Sequence, residues 1–144
     1  MLENLEGRRI VIDTNVFISF VISGKGTRKT ITNLLGYVFE HSILLFSEET
    51  LNELEETLTR SKFQKYFSKD DAEKFITSIK FLSTLVSIKE KVNESRDSND
   101  NKILDIAING NADLIITGDD DLLILNGFRG IKILSPKTIL ESEI

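Results

Sequence analysis

Three aspartates stand where an α/β protein commonly builds its active site. Asp13 follows the apolar run Ile10–Ile12, Asp119 comes shortly after the apolar run Leu114–Ile116, and Asp100 opens a candidate helix. In open α/β sheets, ligands bind in the crevice beyond the carboxyl ends of the strands. Carboxylate oxygens gathered there are the ligands that hard divalent cations such as Mg²⁺ and Mn²⁺ prefer. The three residues therefore indicate a metal site.

Asp100 is the most informative of the three, because it lies on the apolar side of its candidate helix. At about 100° per residue, its direction falls between those of Ile103, Leu104 and Ala107. An unpaired carboxylate is costly to bury, so this position favours a site over a simple helix cap. Asp105 points away from the same apolar stripe, and we predict that it is exposed to solvent.

The other acids are less decisive, because aspartate is also common in turns and at helix N-termini. Asp13 could equally cap the following helix. Asp97 lies in a polar stretch and is a secondary candidate ligand. Asp119, Asp120 and Asp121 form a run that exceeds what a helix N-terminus requires. Asp119 projects between two leucines toward the interior, and Asp121 could reach a second ion.

Strands and helices alternate along the chain, an order typical of a parallel sheet covered on both faces. The candidate strands are Arg9–Ile12, Ile43–Phe46, Leu85–Ile88, Leu114–Thr117 and Ile131–Leu134. Two candidate helices cover Thr27–Glu40 and Asp100–Ile108. Four more begin after the N-caps Ser47 and Ser68, after Asp119, and at Ser135-Pro136. The segment Val16–Ile22 could be a helix or a further strand. We predict a three-layer α/β/α fold with a central parallel sheet, in a single domain over residues 1–144.

The composition narrows the class of protein. The 144 residues contain no cysteine, which excludes disulfides, thiolate metal sites and a cysteine nucleophile. No apolar run approaches the roughly 18 residues of a membrane helix, and the acidic N-terminus lacks a signal peptide's basic start. We therefore expect a cytoplasmic protein. The net charge of −5 argues only weakly against a nucleic-acid partner, because bound divalent cations would offset it.

Three short motifs, in their order and spacing, make the chain resemble a PIN domain, which is a small nuclease fold. They are Asp13-Thr14-Asn15 after the first strand, residues 96–104 (RDSNDNKIL) at the start of a helix, and residues 117–123 (TGDDDLL) after a later strand. The match runs from Ile10 to about Leu140. The resemblance implies a Mg²⁺- or Mn²⁺-dependent ribonuclease. The chain also resembles the subgroup described as toxins of toxin–antitoxin pairs.

The resemblance also implies which residues form the site. In PIN domains a strand-end serine is followed six residues later by a helical Glu-Leu, which here assigns Ser47 and Glu53, whereas the helical wheel alone favours Glu55. The implied catalytic, metal-binding acids are Asp13, Glu53, Asp100 and Asp119, which would hold one or two Mg²⁺ or Mn²⁺ ions, with Asp97 and Asp121 as further ligands. The residues expected to orient these acids or to contact substrate are Thr14, Asn15, Thr117, Lys25, Arg28 and Lys29. A solvated surface explains the three basic residues as well.

The implied partners are an RNA substrate and, for a toxin, a cognate antitoxin protein; homodimerisation is a family expectation. One alternative is a PIN scaffold that binds RNA or a protein without cleaving it. Another is a Mg²⁺-dependent phospho-acceptor signalling domain, but that design requires paired acids after the first strand and a lysine after the last. Ile12-Asp13-Thr14 and Leu134-Ser135-Pro136 supply neither. A metal-dependent ribonuclease is therefore the preferred interpretation.

Overall fold

A parallel β-sheet forms the centre of the computed structural model, which describes residues 2–22 and 25–141, with the side chains of residue 3 and residues 25–30 excepted. The strands are β1 (Arg9–Ile12), β2 (Ile43–Phe46), β3 (Thr84–Leu85), β4 (Leu114–Ile116) and β5 (Lys132–Leu134). They lie in the order β3-β2-β1-β4-β5, and every neighbouring pair is parallel. The chain builds one half of the sheet outward from β1, then returns to build the other half. The switch point, where such sheets bind ligands, therefore lies between β1 and β4.

Helices connect the strands. They are α1 (Thr14–Ile22), α2 (Lys25–His41), α3 (Glu48–Leu58), α4 (Lys69–Leu82), α5 (Ser98–Asn109), α6 (Asp120–Leu123) and α7 (Pro136–Glu141). The predicted N-caps are confirmed: the hydroxyls of Ser47, Ser68 and Ser135 each accept a hydrogen bond from a backbone N–H in the first turn of the following helix. No helix in the described ranges is long and apolar enough to cross a membrane.

The sheet separates two hydrophobic cores, because alternate residues of a strand point to opposite faces. Ile10 and Ile12 of β1 pack in one core with residues of α1, α2, α3, α4 and α7. Val11 packs in the other core, with residues of α5 and α6. These helix layers on the two faces confirm the predicted three-layer α/β/α fold.

Several predicted elements have different bounds in the structure: the predicted strands Leu114–Thr117 and Ile131–Leu134 are each one residue shorter, and the predicted helix Asp100–Ile108 extends from Ser98 to Asn109. The segment Val16–Ile22, which was ambiguous between helix and strand, lies within α1. The predicted helix Thr27–Glu40 begins two residues earlier, at Lys25, and ends one residue later, at His41.

The predicted strand Leu85–Ile88 is wrong in its bounds, because β3 covers only Thr84 and Leu85. The N–H of Val86 makes a last bond to the carbonyl of Phe46, at 2.8 Å. Beyond it, Val86 and Ile88 pack against the second core. The apolar side chains of Val86 and Ile88 therefore reflect packing on a core and not a place within a strand.

Candidate metal centre

A cleft of about 190 Å³ opens at the carboxyl edge of the sheet, beside the switch point. Parallel register explains its position: Ile12 pairs with Ile116, so the residues that follow them, Asp13 and Thr117, leave β1 and β4 side by side. The lining residues come from both strand ends and from α1, α3 and α5; they are Asp13, Thr14, Asn15, Ile18, Thr50, Glu53, Leu54, Thr57, Asp97, Asn99, Asp100, Lys102, Ile103 and Asp119. Five of these are acids, and they come from four separate segments of the chain.

Asp13 is held rigidly at the floor of the cleft. Its side chain is buried, its Oδ2 accepts a bond from the Thr117 hydroxyl at 2.8 Å, and its Oδ1 accepts one from the backbone N–H of Asn15 at 3.1 Å. Thr117, through its hydroxyl, and Asn15, through its backbone N–H, thus orient Asp13. Burial raises the pKa of Asp13; the bonds from Asn15 and Thr117 oppose that rise, and the charges of Asp119 and Asp97 add to it.

Three further carboxylates converge beside Asp13. Asp97, Asp100 and Asp119 each offer an oxygen, and these three oxygens lie within 4.8 Å of one another. Asp97 also caps α5, accepting a bond from the N–H of Asn99, and Asp119 caps α6 by accepting one from the N–H of Asp121, each at 2.9 Å. The capping and site interpretations of these aspartates are therefore compatible. In each residue one oxygen accepts a hydrogen bond from the first turn of the helix, and the carboxylate still lies in the cluster.

The strongest electrostatic perturbation in the cluster falls on Asp100, which is only 4% exposed. Its pKa is raised to about 7, first by burial, then by its hydrogen bond with the Asp119 carboxyl group and by the charges of Asp119 and Asp97. A bond from the Ser95 hydroxyl, at 3.3 Å, acts in the opposite direction. Without a cation, Asp100 therefore keeps its proton to a higher pH than an ordinary aspartate does. A hard divalent cation would replace that proton, so these oxygens fit Mg²⁺ or Mn²⁺.

Glu53 lies on the opposite wall of the cleft and is turned toward a lysine. Its Oε1 contacts the ammonium of Lys102 at 2.5 Å, and Glu49, one turn earlier on α3, contacts the same ammonium at 3.1 Å. These two glutamates raise the pKa of Lys102. Glu55, which the helical wheel favoured, instead pairs with Lys80 at 3.2 Å, outside the cleft. Glu53, the glutamate that the family resemblance implies, therefore lines the cleft, and its role as a metal ligand stays a prediction.

The remaining predicted site residues are either outside the three-aspartate cluster or outside the described part of the chain. Asp121 is exposed and does not line the cleft. Thr14 lines the cleft at the start of α1. The side chains of Lys25, Arg28 and Lys29 lie outside the described residues.

The predicted exposure of Asp105 is wrong. Its side chain is buried, at 8% exposure, and Oδ1 accepts a bond from the backbone N–H of Val92 at 2.7 Å. The loop that precedes α5 folds back over the outer face of this helix and covers it. The helical wheel correctly separated Asp105 from the face of Asp100, but a wheel does not register a loop that covers the opposite face.

Sequence reasoning missed Lys102 as a residue of the cleft. A lysine two positions after Asp100 lies on a different face of the helix. Its ammonium reaches the cleft because the side chain is long and flexible. The available signal was Glu49 and Glu53, four residues apart on one helix, because neighbouring like charges on a helix face favour a cationic partner. Ser95, which contacts Asp100, carried no comparable signal.

A doubly wound parallel sheet with acids converging at its switch point defines an α/β protein with a candidate carboxylate metal site. Comparison with known families is more specific: the PIN domain model matches residues 9–121, and the chain belongs to the PIN domain family. This family generally comprises nucleases. The chain is also 34% identical, over 119 residues, to a protein of Methanocaldococcus jannaschii that is described as uncharacterized. That alignment covers 81% of this chain and 74% of the relative.

Proposed function

We propose that the protein is a metal-dependent endoribonuclease that hydrolyses RNA phosphodiester bonds. The observation that carries this proposal is the convergence of Asp97, Asp100 and Asp119 beside the rigidly held Asp13, in a cleft of a PIN domain. These four residues would hold the ion, and Glu53 faces them from the other wall. When bound, Mg²⁺ or Mn²⁺ supplies a Lewis acid that stabilises developing phosphate charge and lowers the pKa of water.

The protein's own groups prepare the cleft for this chemistry. The hydroxyl of Thr117 and the N–H of Asn15 fix both oxygens of Asp13. The Asp13 carboxylate therefore does not need to reorient when substrate binds. Asp97 and Asp119 each commit one oxygen to a helix N-terminus, which fixes their direction as well. The cleft therefore presents carboxylates that are already oriented before RNA binds.

RNA binding also requires positively charged residues, because the described residues that line the cleft are strongly acidic. We propose Lys25, Arg28 and Lys29 as the substrate contacts, since the first turn of α2 carries this basic cluster. We further propose that the protein is the toxin of a toxin–antitoxin pair, with a cognate antitoxin as partner, and that it forms a homodimer. The resemblance of the chain to that subgroup supports the toxin and antitoxin assignments, and homodimerisation is an expectation from the family.

The test is cleavage of a mixed RNA pool by the purified protein, with the cut sites mapped by sequencing of the fragments. We expect cleavage with Mg²⁺ or Mn²⁺ and none with EDTA. Asp119→Asn should lower the rate on the order of 100-fold or more, because it removes a charged ligand oxygen. Asp120→Asn is the matched control: this neighbouring aspartate is exposed, does not line the cleft, and should keep the rate of the unmodified protein.

Two results would contradict the proposal. Equal loss of activity in both variants would show that the cluster is not the site. RNA binding that is insensitive to EDTA, with no cleavage in either metal, would instead support a PIN scaffold that binds without cutting.

A further inference from the structure

Lys102 occupies an unusual position, because it is the single basic residue among the described residues that line the cleft. Its ammonium lies between two carboxylates of α3, at 2.5 Å from Glu53 and 3.1 Å from Glu49. The side chain is 30% exposed, so the contact with Glu53 is partly shielded from water. An ion pair shielded in this way is stronger than one in bulk solvent.

The contact determines where the Glu53 carboxylate is directed. The carboxylate oxygens of Asp97, Asp100 and Asp119 form a group within 4.8 Å of one another, and Glu53 is not a member of that group. Its Oε1 is already occupied by a cation, which is the ammonium of Lys102. A divalent ion at the aspartate cluster would therefore compete with this ammonium for the Glu53 carboxylate.

We propose that Lys102 is a positioning residue that competes with the divalent cation for Glu53, and so holds Glu53 out of the metal centre until the ammonium is displaced. The inference rests on the metal site of the proposed function. It assigns the three aspartates of the cluster, with Asp13, to the binding of an ion in the free protein. Glu53 becomes a ligand only in a second step.

A second ion pair on the same helix provides a matched control. Lys80 of α4 contacts Glu55 at 3.2 Å, and their side chains are 44% and 41% exposed. Neither residue lines the cleft. Lys80→Met therefore removes one positive charge and one ion pair of α3 without freeing a carboxylate near the aspartate cluster.

The experiment measures Mn²⁺ affinity by isothermal titration calorimetry, without RNA, so that it does not depend on nuclease activity. Lys102→Met should bind Mn²⁺ about two- to fivefold more tightly than the unmodified protein, because it frees Glu53 from a partly exposed ion pair. Lys102→Arg keeps the competing charge and should bind as the unmodified protein does. Lys80→Met should also leave the affinity unchanged.

A double-mutant cycle separates competition for Glu53 from a general effect of charge. Glu53→Gln alone should change the affinity by less than about twofold, because Glu53 is not yet a ligand. In the Glu53→Gln background, Lys102→Met should produce no gain. A gain of the same size in that background would show that only the lost charge matters, and would overturn the proposal.

Two further outcomes are decisive, even where Lys102→Met fails to fold. If Glu53→Gln weakens Mn²⁺ binding as strongly as Asp119→Asn does, Glu53 is a ligand while Lys102 is in place, and the proposal is wrong. If the unmodified protein binds no Mn²⁺, the metal site of the proposed function fails and this inference fails with it. Binding without a gain in Lys102→Met overturns this inference alone.

Discussion

Thr117 connects the acids of the candidate site although it carries no charge. Its hydroxyl donates to Asp13 at 2.8 Å and accepts a bond from the backbone N–H of Asp119 at 3.0 Å. Its own N–H donates to the carbonyl of Leu134 in β5, at 3.0 Å. The side chain is completely buried. One threonine at the end of β4 thus sets the positions of two carboxylates relative to the sheet.

Replacement of Thr117 by valine tests this role, because valine has nearly the same shape but neither bond. We expect Mn²⁺ affinity to fall roughly 10- to 100-fold, as when groups that orient metal ligands are removed. We also expect a loss of about 1–3 kcal/mol in the free energy of unfolding, because the Asp119 N–H loses its acceptor. Titration calorimetry and urea unfolding measure the two effects. Thr117→Ser keeps the hydroxyl and is the control; equal behaviour of both variants would contradict the assignment.

At the level of elements, α5 is clamped by the loop that precedes it. Asp105 accepts a bond from the N–H of Val92, and Asn109 accepts bonds from the N–H groups of Lys89 and Glu90, at 2.9 Å each. Asn109 also donates to the carbonyl of Glu90 at 2.7 Å. Two side chains on the outer face of α5 therefore satisfy the backbone of an irregular segment. This segment leads directly into Asp97 and Asp100, so the clamp supports the site from behind.

Asp105→Ala should weaken this clamp measurably. The N–H of Val92 would remain buried without an acceptor, which typically costs about 1–3 kcal/mol in the free energy of unfolding. Asp105→Asn should cost much less, because an amide oxygen can accept the same bond. Urea unfolding of the two variants gives the comparison. A loss of stability in Asp105→Ala no greater than in Asp105→Asn would show that the bond to Val92 contributes little.

For the whole molecule, acidic charge is concentrated at one edge of the sheet. The chain carries a net charge of −5, and five acids line a single cleft. Burial, and in smaller part the neighbouring carboxylate charges, raise the pKa of Asp13 and Asp100, so the folded protein binds protons there that the unfolded chain releases. The protonation of Asp13 and Asp100 therefore stabilises the metal-free fold most at low pH. The fold loses this stability as the pH rises through about 7, the pKa of Asp100.

Melting temperatures should report this linkage. We expect the metal-free protein to melt at a lower temperature at about pH 8 than at about pH 5.5. We expect Mn²⁺ to raise the melting temperature more at the higher pH, because at the lower pH the ion must first displace the proton of Asp100. Differential scanning calorimetry with EDTA or with Mn²⁺ measures both effects. Asp100→Asn should flatten the pH dependence of the metal-free protein. An Mn²⁺ shift that is larger at the acidic pH would contradict the assignment.

What the sequence determined by itself is local. Apolar alternation and runs predicted the strands, serine caps predicted the starts of three helices, and the strand-end positions of Asp13 and Asp119 followed from both. These features depend on residues a few positions apart, so a single stretch of chain contains the whole signal. The motifs of the family added Glu53, which no periodicity distinguishes from its acidic neighbours.

The tertiary structure alone decided which of these residues meet. The bond between Thr117 and Asp13 joins positions 104 apart, and the contact between Lys102 and Glu53 joins positions 49 apart. The burial of Asp105 depends on a loop 13 residues away. Such contacts depend on the order of the strands and on the path of a loop, neither of which leaves a periodic pattern. For that reason the acids could be predicted one by one, whereas the lysine that faces them could not.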